Sequence, residues 1–351
     1  MNFVETPKVD ITKYIKDKFE DAEFNKDGSC KQYTSVIDEY NAVKHGVAVR
    51  NISDSVFLEL FGNDCKGFLN RITTKELCNI QPDKATKTLF CNSFGGVLDE
   101  VVLLPINDYH LLVRSRDDKK KIKRWIDNYI VGEDVKVKEE ENKYSLFELY
   151  GPQALTYLSI LCGDGVEKIE ELKIRKFLVD DFEINVIKFC DGVEKYWILI
   201  KDKGLDEVFN LLEENKSVLD VAFLGEEAFK SFRIENGISV YPSEYNGKFS
   251  PFDLKIKNLI DESKKGYLGY EKIVPYLSGD NSVSKLCLVE FNIEDKIELP
   301  YIIKSKENQI GIITSEVNSV KYKTRVAMAV IESDVESFFI NHYECKILKE
   351  F

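Results

Sequence analysis

The sequence predicts an α+β fold that ends in an all-β barrel, and three observations predict it. Between residues 35 and 235, apolar spacing switches repeatedly between the period of two that suits a strand and the 3.6 of an amphipathic helix. After Val283 the helical period is lost, and short strand-like runs alternate with turns to the end of the chain. There is also an internal echo. Glu59-Leu60-Phe61-Gly62-x-x-Cys65-x-x-Phe68-Leu69 matches Glu148-Leu149-Tyr150-Gly151-x-x-Ala154-x-x-Tyr157-Leu158, each a strand, a glycine turn and the first turns of a helix. The echo is read either as two related α+β units or as one local solution used twice.

Each element has its own signal. Residues 35–50 read as a helix with Tyr40, Val43 and Val47 on one side. Ser55 to Phe61 alternates as a strand, Gly62-Asn63-Asp64 punctuates it, and Asp64 caps a helix bearing Phe68, Leu69 and Ile72. A strand begins near Leu89 and is broken by Gly95-Gly96. Val97–Leu104 and Tyr109–Val113 then form a hairpin around Asn107-Asp108. Asp117 caps an amphipathic helix with Ile122, Trp125, Ile126, Tyr129 and Ile130 on its apolar face. Pro152 suits the first helical position of the second echo. Strands follow at 183–189 and 195–201, and helices at 204–214 and 226–235. Gly237 to Lys257 is rich in Tyr, Pro, Ser, Gly and Asn and lacks a helical period. It is too long for an ordinary connector, which marks it as a structured, functional loop. The terminal strands are read at Leu286–Phe291, Ile302–Lys304, Ile310–Ile313, Val326–Ile331 and Glu344–Leu348.

Composition narrows the functional classes. The 351 residues are 44% apolar and 31% charged, enough to bury the cores of two or three domains. With 49 Lys and Arg against 61 Asp and Glu, the net charge is −12, which disfavours general nucleic-acid binding. No run approaches the ~20 apolar residues of a membrane span. The start, MNFVETPKVDITKY, lacks the apolar core of a secretory signal. The eight cysteines are scattered without a CxxC, and the three histidines lie far apart, so no metal site is expected. The cysteines read as small buried residues of a reducing compartment, and the expected location is the cytoplasm.

Eight stretches in order carry a family resemblance: EYNAVKHGVAVRNIS (39–53), FGNDCKGFLNRITT (61–74), LFCNSFGGVLDEVVL (89–103), LYGPQAL (149–155), EEAFKSFRIENG (226–237), SPFDL (250–254), KGYLGYEKI (265–273) and GIITSEVNS (311–319). From about residue 35 to the end the chain resembles the glycine cleavage T-protein, or aminomethyltransferase, family, as a divergent member. The resemblance implies a three-domain cloverleaf with a C-terminal β-barrel and a central tetrahydrofolate channel. Its domains would be 1–52 with 144–255, then 53–143 with part of 256–282, then 283–351.

The same resemblance assigns residues. In the family two aspartates follow the Gly-Gly motif, the second being the catalytic carboxylate beside the folate. Here Asp99 holds the first position and Glu100 the second. A carboxylate there can orient an amine donor and stabilise positive charge at a folate nitrogen; the alternative for Glu100 is a solvated strand-edge acid. A folate-contacting Tyr before the Cys91-Asn92 pair is replaced by Lys87, and a family Asn by Ser115. The Gly-Tyr-Thr-Gly-Glu turn is replaced by Lys188-Phe189-Cys190-Asp191-Gly192. The acid that grips the pterin edge falls near Trp197, with Glu194 the nearest carboxylate. The Arg that holds the folate tail aligns with Phe229, and a loop Tyr aligns with Ile238. Trp197 and Phe229 therefore form either an aromatic surface for a flat ring or part of the core.

Arg233 in the kept Arg233-Ile234-Glu235 is either a ligand contact or a structural ion pair; the resemblance implies that Glu100, Trp197 and Tyr241 line one ligand channel and that Asn92 is among the cofactor contacts. The basic face of Lys119, Lys120, Lys121, Lys123 and Arg124 is either solvated or a dock for an acidic lipoyl carrier protein. The function implied is tetrahydrofolate-dependent one-carbon transfer from a small-molecule or carrier-bound donor. The alternative is a non-catalytic folate- or ligand-binding paralogue acting as a sensor or iron–sulfur maturation factor. The Lys-Gly-Cys-Tyr-Thr-Gly-Gln-Glu hallmark of that maturation branch is not matched by Lys265-Gly266-Tyr267-Leu268-Gly269-Tyr270-Glu271, which lacks the cysteine.

Overall fold

The computed structural model describes residues 11–106, 109–114, 121–140, 143–190, 192–214, 219–277, 284–290, 297–305, 308–340 and 343–351. The chain begins with α1 (Ile11–Lys18), β1 (Glu23–Phe24), β2 (Cys30–Gln32), α2 (Val36–His45) and β3 (Val47–Asn51). Next come β4 (Val56–Phe61), α3 (Cys65–Ile72), β5 (Thr86–Cys91), β6 (Val97–Ile106), β7 (Tyr109–Arg114), α4 (Lys121–Tyr129) and β8 (Lys136–Glu139). The middle holds β9 (Tyr144–Tyr150), α5 (Ala154–Cys162), β10 (Ile174–Val179), β11 (Phe182–Phe189), β12 (Lys195–Lys201), α6 (Leu205–Glu214), β13 (Val221–Phe223) and α7 (Glu226–Glu235). Last are α8 (Tyr270–Leu277), β14 (Ser284–Glu290), β15 (Tyr301–Ser305), β16 (Asn308–Asn318), β17 (Arg325–Glu332), β18 (Ser337–Ile340) and β19 (Tyr343–Glu350). Two compact units emerge: 1–53 with 142–229, and 54–141 with 230–351.

The first unit is a six-stranded sheet ordered β10-β11-β12-β9-β3-β13, antiparallel except where β13 joins β3. One face is apolar. Val47, Val49, Phe147, Leu149, Ile198 and Ile200 bury there against Tyr157, Leu158 and Leu161 of α5 and Val208, Phe209 and Leu212 of α6. Alternation then sends Arg50, Glu148, Tyr150, Lys195 and Trp197 to the opposite face.

The second unit holds two sheets. In the first, ordered β5-β6-β7-β4-β8, Leu58, Leu60, Phe90, Val101 and Leu103 bury against Phe68 and Leu69 of α3 and Ile122 and Ile126 of α4. The second, ordered β15-β16-β17-β14-β19-β18, is antiparallel, and its outer strands β15 and β18 lie against each other, so it nearly closes into a barrel. Its interior is filled by Val289, Ile303, Ile313, Ala327, Ala329, Phe338 and Ile340. The outer face of β14 and β17 carries Leu286, Leu288, Val326 and Met328 into a core shared with Tyr245, Phe249 and Leu254 of the 237–257 loop.

The echo extends well beyond a strand, a turn and a helix. The run β4-α3-β5-β6-β7-α4 repeats as β9-α5-β10-β11-β12-α6, and the strand order β5-β6-β7-β4 repeats as β10-β11-β12-β9. These are two related units, built alike because the same apolar alternation backs each sheet with two helices.

Some local expectations are corrected. The helix expected over 35–50 stops at His45, and Val47–Asn51 is a strand. Gly46 marks the change: its backbone leaves the helical region, and only glycine fits there, because a Cβ would sit 2.2 Å from the Asp220 carbonyl oxygen. Once the chain turns, the β-branched Val47 and Val49 suit the sheet interior. Asp64 stands at the start of α3, but its carboxylate accepts from the Asp134 N–H at 2.8 Å rather than capping its own helix. Asp117 and Asn107-Asp108 lie outside the described residues.

Candidate functional site

The Gly95-Gly96 turn joins β5 to β6, and strand alternation decides what each neighbouring side chain can do. Asp99 stands opposite Phe90 on the helix-backed face and is fully buried. Its Oδ1 accepts the Glu100 N–H at 2.9 Å. Glu100 stands opposite Leu89, on the other face, which it shares with Lys87. Lys87 Nζ lies 2.8 Å from Glu100 Oε1, and the Tyr245 hydroxyl donates to Oε2 at 3.1 Å. Each carboxylate oxygen thus holds one donor, which fixes the group's position while it keeps a partly open edge. Burial, then the Glu100 charge, push the Tyr245 phenol well above its ordinary pKa, so it stays a donor.

Tyr245 reaches this carboxylate because the 237–257 loop is strapped to the start of β6. Gly247 N–H donates to the Val97 carbonyl, and Val97 N–H to the Phe249 carbonyl, each at 2.8 Å. Asn92 completes the junction. Its Oδ1 accepts from Phe94 N–H at 2.9 Å and Gly96 N–H at 3.0 Å, while its Nδ2 donates to the Gly247 carbonyl at 2.9 Å. The approach is so close that a Cβ on Gly96 would fall 2.0 Å from the Gly247 oxygen. Asn92, expected to meet a ligand, thus spends its amide on locking the turn to the loop. Asn92→Ala is expected to lower stability by about 1–3 kcal/mol, because the turn N–H groups and the Gly247 carbonyl lose their partner. Denaturant unfolding checks this, and an unchanged midpoint would show that the amide does not hold the loop.

A second cluster occupies the face of the first unit's sheet that points away from α5 and α6. Glu148 is buried, and four donors converge on it. Lys195 Nζ at 2.5 Å and Trp197 Nε1 at 3.1 Å reach Oε1, and Arg50 Nη1 and the Tyr150 hydroxyl, each at 3.0 Å, reach Oε2. Burial would raise this carboxyl, but the Lys195 and Arg50 charges outweigh it and hold the pKa at about 2. Arg50 also bonds Glu226 at 3.2 Å and stacks its guanidinium 3.5 Å from the Phe229 ring centre. Trp197 and Phe229, left open between a ligand surface and the core, are both buried. Trp197 packs on Phe189 at 4.9 Å and lies near the Lys195 ammonium, and Phe229 carries Arg50. Glu194 is exposed, held by Lys188 at 2.9 Å and by the Tyr196 hydroxyl.

Arg233 belongs to a buried network of the second unit. It bonds Glu244 at 3.3 Å and Ser315 Oγ at 2.7 Å, and Glu244 also accepts from Thr314 Oγ1 and Ser315 Oγ. Glu235 is engaged separately, by Ser231 and Ser319. Tyr241 packs, partly buried, against the core that contains Tyr245. Ser115, Lys119 and Lys120 lie outside the described residues. Sequence reading missed Tyr245, Glu148 and Arg50. The one available signal was the paired Glu59 and Glu148 of the echo, which alternation places on the face of each sheet away from the two helices of its repeat.

The family model described as "GCVT N-terminal domain" matches residues 16–264. The chain is 25% identical over 321 residues to the aminomethyltransferase of Staphylococcus haemolyticus, covering 86% of this chain and 84% of the relative. To the aminomethyltransferase of Thermotoga maritima it is 23% identical over 306 residues, covering 87% and 83%. Among solved structures, glycine cleavage system aminomethyltransferase T from Bartonella henselae superposes with a TM-score of 0.78 at 17% identity, covering 95% of both chains. That likeness is one of fold.

Proposed function

Because the chain belongs to the glycine cleavage T-protein (GCVT) family, we propose that it transfers a one-carbon unit from a donor to tetrahydrofolate, with Glu100 as the carboxylate beside the acceptor. The observation that carries this reading is the Glu100 carboxylate itself. It stands just past the Gly-Gly turn, oriented by Lys87 and Tyr245 and partly open on one edge. A fixed carboxylate offers two things to such a transfer. It stabilises positive charge as it develops at the nitrogen that gives or takes the carbon, and it can accept a proton released there. Because both oxygens are already held, little reorganisation is needed when the charge develops. The donor would be a methylated amine, ether or thioether, or a one-carbon unit on a lipoyl carrier.

A second reading is a protein that binds folate without turnover. In either reading the pterin is gripped elsewhere than at Trp197 and Phe229, because Arg50 lies over Phe229 and Trp197 is tied to Glu148. Single-turnover transfer to tetrahydrofolate from this set of donors, run beside calorimetry with tetrahydrofolate, separates the two. Transfer supports the first reading and binding without transfer the second. The absence of both removes folate from the function.

A further inference from the structure

We propose that Glu244 is a positioning residue: it fixes the Tyr245 hydroxyl over Glu100, and through it the terminal barrel holds one of the donors on that carboxylate. This inference rests on the reading of Glu100 as the reacting carboxylate.

Glu244 is fully buried, and four donors divide evenly between its oxygens. Thr314 Oγ1 at 2.6 Å and Ser315 Oγ at 2.7 Å reach Oε1. The Val240 N–H at 3.0 Å and Arg233 Nη1 at 3.3 Å reach Oε2. A buried carboxylate is costly unless its charge is paired and its oxygens are satisfied, and this set does both. Two of the bonds depend on an irregularity in the barrel. On a regular strand Thr314 and Ser315 would point to opposite faces. The register of β16 against β17 shifts here: Ile313 opposes Ala329 and Ser315 opposes Met328, so Thr314 is the extra residue of a bulge. That extra residue lets two consecutive hydroxyls meet one carboxylate oxygen.

The same side chain closes the turn that carries Tyr245. The Val240 carbonyl accepts the N–H of Glu244 at 3.0 Å and that of Tyr245 at 3.3 Å, while the Val240 N–H returns to Glu244 Oε2. The Tyr245 backbone is therefore set by a turn whose own carboxylate is tied to β16 and α7. On its other side the loop is strapped to β6 through Gly247 and Asn92. Tyr245 hangs between these two anchors, and its hydroxyl reaches Glu100 Oε2 at 3.1 Å. A displacement of roughly 0.5 Å breaks such a bond. Releasing the β16 anchor leaves the β6 strap in place, so the damage expected is a displaced phenol and not a lost loop. Glu235 supplies a matched control for the loss of a buried carboxylate: it bonds Ser231 of its own helix at 2.8 Å and Ser319 at 2.6 Å.

The experiment uses the full chain with 3-fluorotyrosine in place of tyrosine, the Tyr245 fluorine resonance being the one that Tyr245→Phe removes. Glu244→Gln is expected to move that resonance, and Glu235→Gln to leave it in place. Single-turnover transfer to tetrahydrofolate should fall several-fold in Glu244→Gln, much as in Tyr245→Phe. The variant carrying both substitutions should be no slower than Tyr245→Phe alone, since residues that act through one contact do not add. Where Glu244→Gln does not fold, Thr314→Val combined with Ser315→Ala removes the barrel bonds, keeps the Glu244 charge and carries the same expectations. A folded variant with an unmoved Tyr245 resonance would overturn the proposal. So would a resonance moved equally by Glu235→Gln, or losses that multiply when the substitutions are combined. Absence of transfer in the parent would end the folate reading, and the fluorine resonance would still decide whether Glu244 positions Tyr245.

Discussion

Glu148→Gln is expected to destabilise the protein by about 3–5 kcal/mol, because it removes the counter-charge from a buried cluster without removing the cations. Arg50 and Lys195 both bond this carboxylate, and Trp197 and Tyr150 donate to it as well. The glutamine oxygen retains some of those hydrogen bonds, so the loss is chiefly electrostatic. Two cations would then share the site with a neutral amide, and Glu226 would remain as the acid that Arg50 can still reach. Lys195→Met should cost less, because Arg50 still neutralises Glu148.

The pH dependence follows with a definite sign. The Glu148 carboxyl titrates at about 2 in the folded protein against 4.5 for its ordinary value. Its contribution is therefore fully present above pH ~4.5 and is lost as the pH falls toward 2. Denaturant titrations of the parent and of Glu148→Gln at pH 7, 4 and 3 provide the measurement. The gap between them should be widest at pH 7 and shrink on acidification. A constant gap would mean that the loss comes from packing and not from the charge.

How far this site could be seen in advance depended on how local its causes are. A period of two alone says that Asp99 and Glu100 point to opposite faces, and the glycine pair alone says where the strand begins. Both facts survive in the structure because they need only neighbours in sequence. The strand-rich end was legible for the same reason, although β18, four residues long, is too short to announce itself. Tyr245 was not legible. Its place over Glu100 depends on a loop docking through Asn92, Val97 and the bare Gly96 backbone, 145 residues away in the case of the Tyr245–Glu100 bond.

Glu148 was hidden differently. Its cationic partners lie 98 and 47 residues away, Arg50 at the end of a segment that reads as helix and Lys195 on a strand that reads as ordinary on its own. The strand Val47–Asn51 was masked by apolar spacing shared with the preceding helix. The boundary falls at Gly46, whose non-helical backbone packs so closely on Asp220 of a distant segment that only glycine fits.

Under the proposed reaction, Glu100→Gln is expected to lower single-turnover transfer to tetrahydrofolate by about 10²-fold or more, the scale set by losing a positioned charge at a reacting nitrogen. The geometry separates this from a folding defect. The amide is close in shape to the acid, Tyr245 can still donate to its oxygen, and the strand register is untouched. What disappears is the negative charge, and with it the ion pair to Lys87. Tyr245→Phe should act more mildly, by several-fold, because it frees one carboxylate oxygen but leaves the charge and the Lys87 contact in place. Asp99→Asn should act on stability before chemistry, since that side chain is enclosed on the helix-backed face and accepts the Glu100 N–H.

The ordering of the three variants is the informative result. Transfer in Glu100→Gln at the parent rate, with Asp99→Asn inactive yet folded, would place the reacting carboxylate on the other face of β6. Equal losses in Glu100→Gln and Tyr245→Phe would mean that position matters here and charge does not. That outcome would move the chemistry from stabilising a developing cation to holding a neutral group in place.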